Sequence, residues 1–210
     1  MAVNFQLIYR ISVAIPVIAL SGFGLWLSLE ARHDNIRVSQ IQAGGINALS
    51  HASALTQETR VEHPLEWIAT ATQLSASQSD QDAVAIKLLE NALSADPAHP
   101  RAWALLSFLR TREAGKFTPA AESALQRSNV LCGFCEQDLL QWRLTYTLQH
   151  WADADETTRM AAFRGADFLR WWYLDYDFLN QVRANANERG IAFDQYRRDV
   201  NSPVRPHEVN

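Results

Sequence analysis

Lysine is scarce in this chain of 210 residues, and positive charge is nowhere concentrated. Only two lysines occur, Lys87 and Lys116, and the 19 lysines and arginines together are outnumbered by 23 aspartates and glutamates, which gives a formal net charge of -4. No basic run forms a stripe that would attract a phosphate backbone. We therefore predict no nucleic-acid partner.

Catalytic signatures are absent as well. The sequence contains no serine nucleophile elbow, no glycine-rich phosphate loop and no His-Glu zinc helix. Its six histidines are scattered, and no two of them stand at a spacing typical of metal ligands. We therefore predict a protein that is not an enzyme and that has no catalytic residue, no metal and no cofactor.

Cysteine occurs only twice, as Cys132 and Cys135. A redox couple of the thioredoxin kind would need a strand before this pair, and the pattern around it predicts none. A zinc site would need two further ligands. A local disulfide, favoured in an oxidising compartment, and two buried thiols remain as the main alternatives. We treat the pair as a candidate disulfide.

One long uncharged run is present near the N-terminus. From Ile11 to Leu29, nineteen residues pass without a charge, and about 20 apolar residues allow a helix to cross a bilayer. Tyr9 and Trp26 stand near its two ends, where aromatic side chains favour the membrane interface. We predict a single transmembrane anchor within residues 1–30, with residues 11–29 in contact with lipid.

Two other interpretations of this run are weaker. A cleaved signal peptide has a shorter apolar core of about 7–15 residues, and the small-residue cleavage pattern before Ala31 is poor. A buried helix of a soluble protein would normally carry a polar stripe. Arg10 before the run and Arg32 and Arg37 after it leave the orientation open. The short N-terminal tail favours export of the domain that follows.

A repeat appears after residue 62. His63-Pro64-Leu65-Glu66-Trp67 recurs as His99-Pro100-Arg101-Ala102-Trp103, 36 positions later. Repeats of this length indicate stacked helix pairs, and proline at a first helical position costs no hydrogen bond. Trp142 follows Trp103 by 39 positions and marks a third, degenerate unit. We predict a juxtamembrane arm over residues 31–62, partly helical, a helical domain over 63–200 and a tail over 201–210.

The strongest pattern lies between residues 83 and 107. Its residues Ala85, Leu89, Ala92, Asp96-Pro97, Ala102-Trp103 and Leu106-Ser107 resemble the tetratricopeptide repeat in order and spacing. Arg110, where an aromatic is usual, and Gly115, one residue late, depart from it. The resemblance implies an all-α stack of about three antiparallel helix pairs, and the predicted transmembrane helix precedes this stack. Its core would include Trp67, Ala85, Leu89, Ala92, Trp103, Leu106 and Trp142.

The whole layout is similar to small accessory proteins of bacterial exopolysaccharide and O-antigen loci. A single N-terminal span, degenerate repeats and the block from Glu136 to Leu144 carry this weaker resemblance. It implies a single-pass protein of the bacterial inner membrane, and the short N-terminal tail favours the periplasm for the helical domain. We therefore expect a scaffold that binds other membrane or envelope proteins in polysaccharide assembly or export.

Two functions of other classes are alternatives to the scaffold. One is a thiol–disulfide redox protein that uses Cys132 and Cys135. The other is a polysaccharide-binding module, since Trp171-Trp172-Tyr173 cannot all be buried on one narrow helix face. The later arginines (Arg143, Arg159, Arg164, Arg170 and Arg183) can line a groove for anions, and solvated helix faces explain them equally well.

Overall fold

The computed structural model describes residues 35–58, 60–76 and 79–201, and its regular structure is helical. No strand occurs within these ranges, so the prediction of an all-α fold is confirmed for them. The helices are α1 (residues 35–42), α2 (Ala48–Leu55), α3 (Pro64–Ser75), α4 (Asp82–Ala95), α5 (Pro100–Ala114), α6 (Pro119–Leu131), α7 (Gln137–Gln149), α8 (Glu156–Trp171), α9 (Tyr176–Glu188) and α10 (Phe193–Asn201). A short 3₁₀ helix, Ser79–Gln81, precedes α4.

The predicted membrane anchor, residues 11–29, lies outside the described residues. Among the helices that the structure does describe, none has both the length and the apolar character needed to cross a bilayer. The predicted tail lies outside them too, apart from Asn201, which ends α10.

The helix ends follow local sequence signals. Pro64 and Pro100 each open a helix at its first position, where the missing N–H has no intrahelical partner. Thr118 caps α6 through its hydroxyl, which accepts a hydrogen bond from the N–H of Ala121 at 3.2 Å. Gly190 follows α9 with a φ of 76°, a left-handed conformation that glycine adopts without steric cost.

Helices that are neighbours in sequence pack most extensively against one another. α3 contacts α4, α5 contacts α6, and α7 contacts α8, while α4 also packs on α5. The third pair joins the second mainly through α8, which lies against α6. The arm contacts α3 through two polar interactions. Arg37 Nε lies 3.0 Å from Glu66 Oε1 of α3, and Gln73 Nε2 of α3 donates to the carbonyl of Gln42 at 2.7 Å.

Two main cores divide the helices. The first core lies among α2 to α6 and is built largely of leucine and alanine around Trp67. The second core lies among α7 to α10 and contains several aromatic rings around Phe163. Burial of each large apolar side chain contributes about 1.5–3 kcal/mol. A smaller cluster at the junction includes Phe117, Leu125 and Tyr146, and the Tyr146 hydroxyl lies 2.7 Å from Thr111 Oγ1 of α5.

Candidate functional site

The two cysteines lie on the short connection between α6 and α7. Their Cα atoms are 5.5 Å apart and their sulfur atoms are at bonding distance, which is a separation that a disulfide allows. Cys132 is the C-cap residue of α6, and the pair encloses Gly133 and Phe134. Helices flank the pair on both sides, whereas a thioredoxin-like redox motif follows a strand.

A buried arginine forms hydrogen bonds to the start of this connection. Arg143 of α7 is only 2% exposed. Its Nη1 donates to the carbonyl of Cys132 at 2.6 Å, and its Nη2 donates to the carbonyl and the hydroxyl of Ser128 at 2.5 and 2.7 Å. These acceptors lie in the last turn of α6, where the helix dipole favours a cation. The guanidinium thus supplies hydrogen bonds that water supplies at an exposed helix end.

No described carboxylate forms an ion pair with Arg143. Burial, helped by the positive charge of Arg101, lowers the pKa of Arg143 to about 10. The group therefore remains charged at neutral pH, and the carbonyl dipoles of α6 supply its compensation. On the other side of the connection, the Tyr173 hydroxyl donates to the carbonyl of Cys135 at 2.9 Å. One end of the loop is consequently fixed by Arg143 of α7 and the other by Tyr173 of the connection between α8 and α9.

Several apolar side chains in and near this loop are exposed to solvent. Val130 is 78% exposed, Phe134 61% and Trp172 71%. The Phe134 ring lies 5.1 Å from the ring of Phe168, which stacks on Trp172 at 5.8 Å. We call these four residues and Met160 of α8 the apolar surface. Its members are Val130, Phe134, Met160, Phe168 and Trp172. A monomeric protein seldom exposes a large contiguous apolar patch without a binding role.

Part of the apolar surface is concave. A groove of about 290 Å³ runs between α6 and α8. Val130, Phe134 and Met160 line it, and Gln126, Asn129 and Arg164 supply polar atoms to its lining. The groove therefore has a mostly apolar lining that includes one cationic side chain, Arg164.

The predicted repeat-core residues occupy different environments. Ala85, Leu89, Ala92 and Leu106 are buried in the first core. The two matched tryptophans differ: Trp67 is 1% exposed, whereas Trp103 is half-buried and its Nε1 donates to the carbonyl of Pro97 at 2.9 Å. Trp142 is also half-buried and stacks on Tyr146, with ring centroids 4.6 Å apart. The third unit thus places its tryptophan at the junction cluster.

Neither a metal centre nor a catalytic array is evident in the described part of the chain. Within it, no group of three His, Cys, Asp or Glu side chains is placed to hold a metal ion. The pKa of His150 is lowered mainly by burial, and this ring stacks on Phe117 at 5.1 Å. Its surroundings are those of a packed side chain.

The comparisons with known proteins return nothing for this chain. No family model, no curated protein and no solved structure matches it.

Sequence reasoning missed the role of Arg143, although a signal was present. Arg143 follows Leu139 and Leu140 by four and three positions, and both leucines are buried. Residues three and four apart share a helix face, so the arginine stands on the inner face of α7. The partners that make this burial tolerable lie on α6, and only the packed structure identifies them.

Proposed function

We propose that this chain is a membrane-anchored scaffold of tetratricopeptide-like helix pairs whose apolar surface binds a helix of another protein. The observation that carries the proposal is the combination of exposure and rigidity at the apolar surface. Phe134 and Trp172 are largely exposed, yet Arg143 and Tyr173 hold the loop that presents Phe134. A preorganised apolar surface loses little conformational entropy when a partner binds.

The repeat part of the proposal is supported by the helix pairs. α3 with α4, α5 with α6 and α7 with α8 are each joined by a short connection and packed together. Such units cannot cover their apolar faces alone, so they stack on their neighbours. The third pair departs from the others because α8, rather than α7, provides the main contact with α6.

The groove within the apolar surface indicates the chemistry of the partner. Its floor is apolar and Arg164 supplies a cation to its lining. An amphipathic helix suits this arrangement, because apolar residues at i, i+3 or i+4, and i+7 would contact the floor. An acidic residue on the same helix would face Arg164. The volume of the groove suits roughly one or two anchoring side chains, as in other interfaces dominated by a few buried residues.

Site-specific crosslinking in the native host tests this partner. A photoreactive amino acid placed at Phe134 should give a discrete protein adduct, and the same group at exposed Lys116 should not. The peptide recovered from the adduct should show helical apolar spacing and an aspartate or glutamate. Val130→Asp should abolish the adduct while the helical content stays unchanged, since Val130 is 78% exposed.

Three results would contradict the proposed partner. An adduct only with a second copy of this chain would make the apolar surface a dimer interface. An adduct only with lipid would make it a membrane contact. Equal adducts from Phe134 and Lys116 would show random collision.

Membrane attachment requires its own test. We expect the whole chain to remain with membranes after a high-salt or alkaline wash, and removal of residues 1–30 to release the helical remainder. A whole chain that washes off, or a mature N-terminus near Ala31, would contradict the anchor. From the resemblance to exopolysaccharide and O-antigen accessory proteins, we propose that this scaffold acts in polysaccharide assembly at the bacterial inner membrane.

A thiol–disulfide redox role is a second candidate, supported by one contact. Arg143 Nη1 lies 3.9 Å from Cys135 Sγ, and a cation at such a distance favours the thiolate of a reduced cysteine. Loss of pathway function after replacement of both cysteines, with folding unchanged, would favour this role over the scaffold.

A further inference from the structure

A cleft rich in arginine lies at the C-terminal end of the described chain, between the end of α8 and the helices α9 and α10. Its volume is about 330 Å³, at the lower end of the range for small-ligand sites. Four arginines line it: Arg170, Arg183, Arg197 and Arg198. We call this feature the arginine cleft, and no part of the apolar surface defined above belongs to its lining.

The charges of the arginine cleft are only partly neutralised. Arg197 Nη1 lies 2.6 Å from Asp167 Oδ1, and Arg183 Nη1 lies 3.5 Å from Asp194 Oδ2. Arg170 and Arg198 form no ion pair with any described residue. Two positive charges therefore remain around one small concave volume, where mutual repulsion disfavours the ligand-free state and attracts an anion.

The donors of the cleft are partly oriented before any ligand binds. Asn180 Oδ1 accepts a hydrogen bond from Arg183 Nη2 at 3.0 Å. Arg197 has a side chain only 15% exposed and is fixed by Asp167. Because guanidinium groups match carboxylate and phosphate oxygens with two parallel hydrogen bonds, such a cluster favours those two anions.

Aromatic rings accompany the unneutralised arginines. Tyr176 lines the cleft and is 48% exposed. The Arg170 guanidinium lies over the ring of Trp171, with Cζ 5.1 Å from the centroid, and Trp171 is 69% exposed. An aromatic face offers an apolar platform for the C–H face of a sugar ring, while its polar edge tolerates water. An anion alone would need no such platform.

We propose that the arginine cleft binds an anionic saccharide, a sugar ring that carries a carboxylate or a phosphate group. Arg170 and Arg198 bind the anionic group, and Tyr176 packs against the ring. The volume of the cleft suits one or two sugar units of a longer chain. Nucleic acid fits less well, because the chain has a net charge of -4 and the cleft is too short to follow a phosphate backbone. This inference does not depend on a protein partner at the apolar surface.

Calorimetric titration of the full-length chain tests the proposal. The protein should be kept in a detergent without a sugar headgroup, because maltoside or glucoside detergents would compete for the site. The ligands are tetragalacturonate, glucose 1-phosphate, inorganic phosphate, neutral maltotetraose and a short single-stranded oligonucleotide. The variant R170A/R198A removes the two unneutralised charges. The matched control R60A/R127A removes two exposed arginines that belong to neither proposed binding site and leaves the net charge equal to that of the first variant.

The expected result is saturable binding of tetragalacturonate or glucose 1-phosphate, and the stronger of the two identifies the anionic group. R170A/R198A should weaken that binding by at least about tenfold, as for loss of a charge-assisted contact, while R60A/R127A changes it less than about twofold. Y176A should also weaken saccharide binding, but not binding of inorganic phosphate. Equal circular dichroism spectra and melting temperatures would establish that both double variants are folded.

Several results would overturn the proposal. Binding of maltotetraose as tight as that of tetragalacturonate would remove the role of charge. Inorganic phosphate binding as tight as the acidic sugars would remove the role of the ring. Preferential binding of the oligonucleotide, equal losses in the two double variants, or no binding of either acidic sugar would each contradict the site.

Discussion

The first and second cores differ in the side chains that fill them. Between α2 and α6, leucines and alanines interlock around Trp67, which is 1% exposed. Between α7 and α10, the aliphatic core also contains the buried rings of Phe163 and Phe193, and further aromatic rings pack against it partly buried. The arginine cleft lies in the second region, whereas the groove of the apolar surface lies where α6 of the first region meets α8 of the second.

Loss of the central tryptophan should produce the largest effect and should fall on the first core. Trp67→Ala leaves a large cavity, which typically costs about 3–5 kcal/mol. Trp103→Ala should cost less, about 1–2 kcal/mol, since Trp103 is half-buried and loses one hydrogen bond to Pro97. Urea unfolding of the chain lacking residues 1–30 measures both. Equal losses would mean that the two matched tryptophans play the same part.

Removal of the buried arginine should be the next largest effect and should fall on the second region. Arg143→Met keeps much of the apolar stem but leaves the carbonyl of Cys132 without its arginine donor and removes the arginine hydrogen bonds to the carbonyl and hydroxyl of Ser128. Each unsatisfied buried group costs about 1–3 kcal/mol, so we expect a loss of about 2–4 kcal/mol. Hydrogen exchange should show faster opening at the end of α6 and the start of α7 than within α3. Uniform opening of both regions would contradict a local role.

Acid should weaken the junction between the two cores through His150. Burial lowers the pKa of His150 in the folded chain below its ordinary value near 6.5. The unfolded chain then binds more protons over the interval between the two pKa values, so stability falls as the pH decreases from about 6.5 to the folded pKa. His150→Gln should reduce this loss of stability. An unchanged pH dependence in the variant would assign the acid sensitivity to other groups.

Replacement of both cysteines should have the smallest effect. A bridge between Cys132 and Cys135 closes a very short loop and therefore restricts the unfolded chain only slightly. The double variant Cys132→Ser, Cys135→Ser should unfold within about 0.5 kcal/mol of the parent, because Arg143 and Tyr173 still hold the loop. A much larger loss would show that the bridge, rather than these two side chains, maintains the connection. Alkylation in the native host would report whether the pair is oxidised.

The sequence alone determined the helices and most of their ends. The 36-residue repeat and its resemblance to tetratricopeptide units predicted an all-α chain, and Pro64, Pro100, Thr118 and Gly190 stand at helix boundaries as their local chemistry requires. These features act over one or two helical turns, so neighbours in sequence are sufficient to specify them. The anchor over residues 11–29, the stack of tetratricopeptide-like units and their polysaccharide context stay predictions.

Tertiary structure decided what the C-terminal half offers to a ligand. Trp67 and Trp103 occupy matched sequence positions, yet only their distant neighbours make one fully buried and the other half-buried. The sequence likewise shows Arg143, Arg170 and Arg183 as similar basic residues on helices. Packing buried the first under the end of α6 and brought the other two to one cleft. Burial and charge balance depend on residues more than ten positions apart, and local sequence therefore cannot specify them.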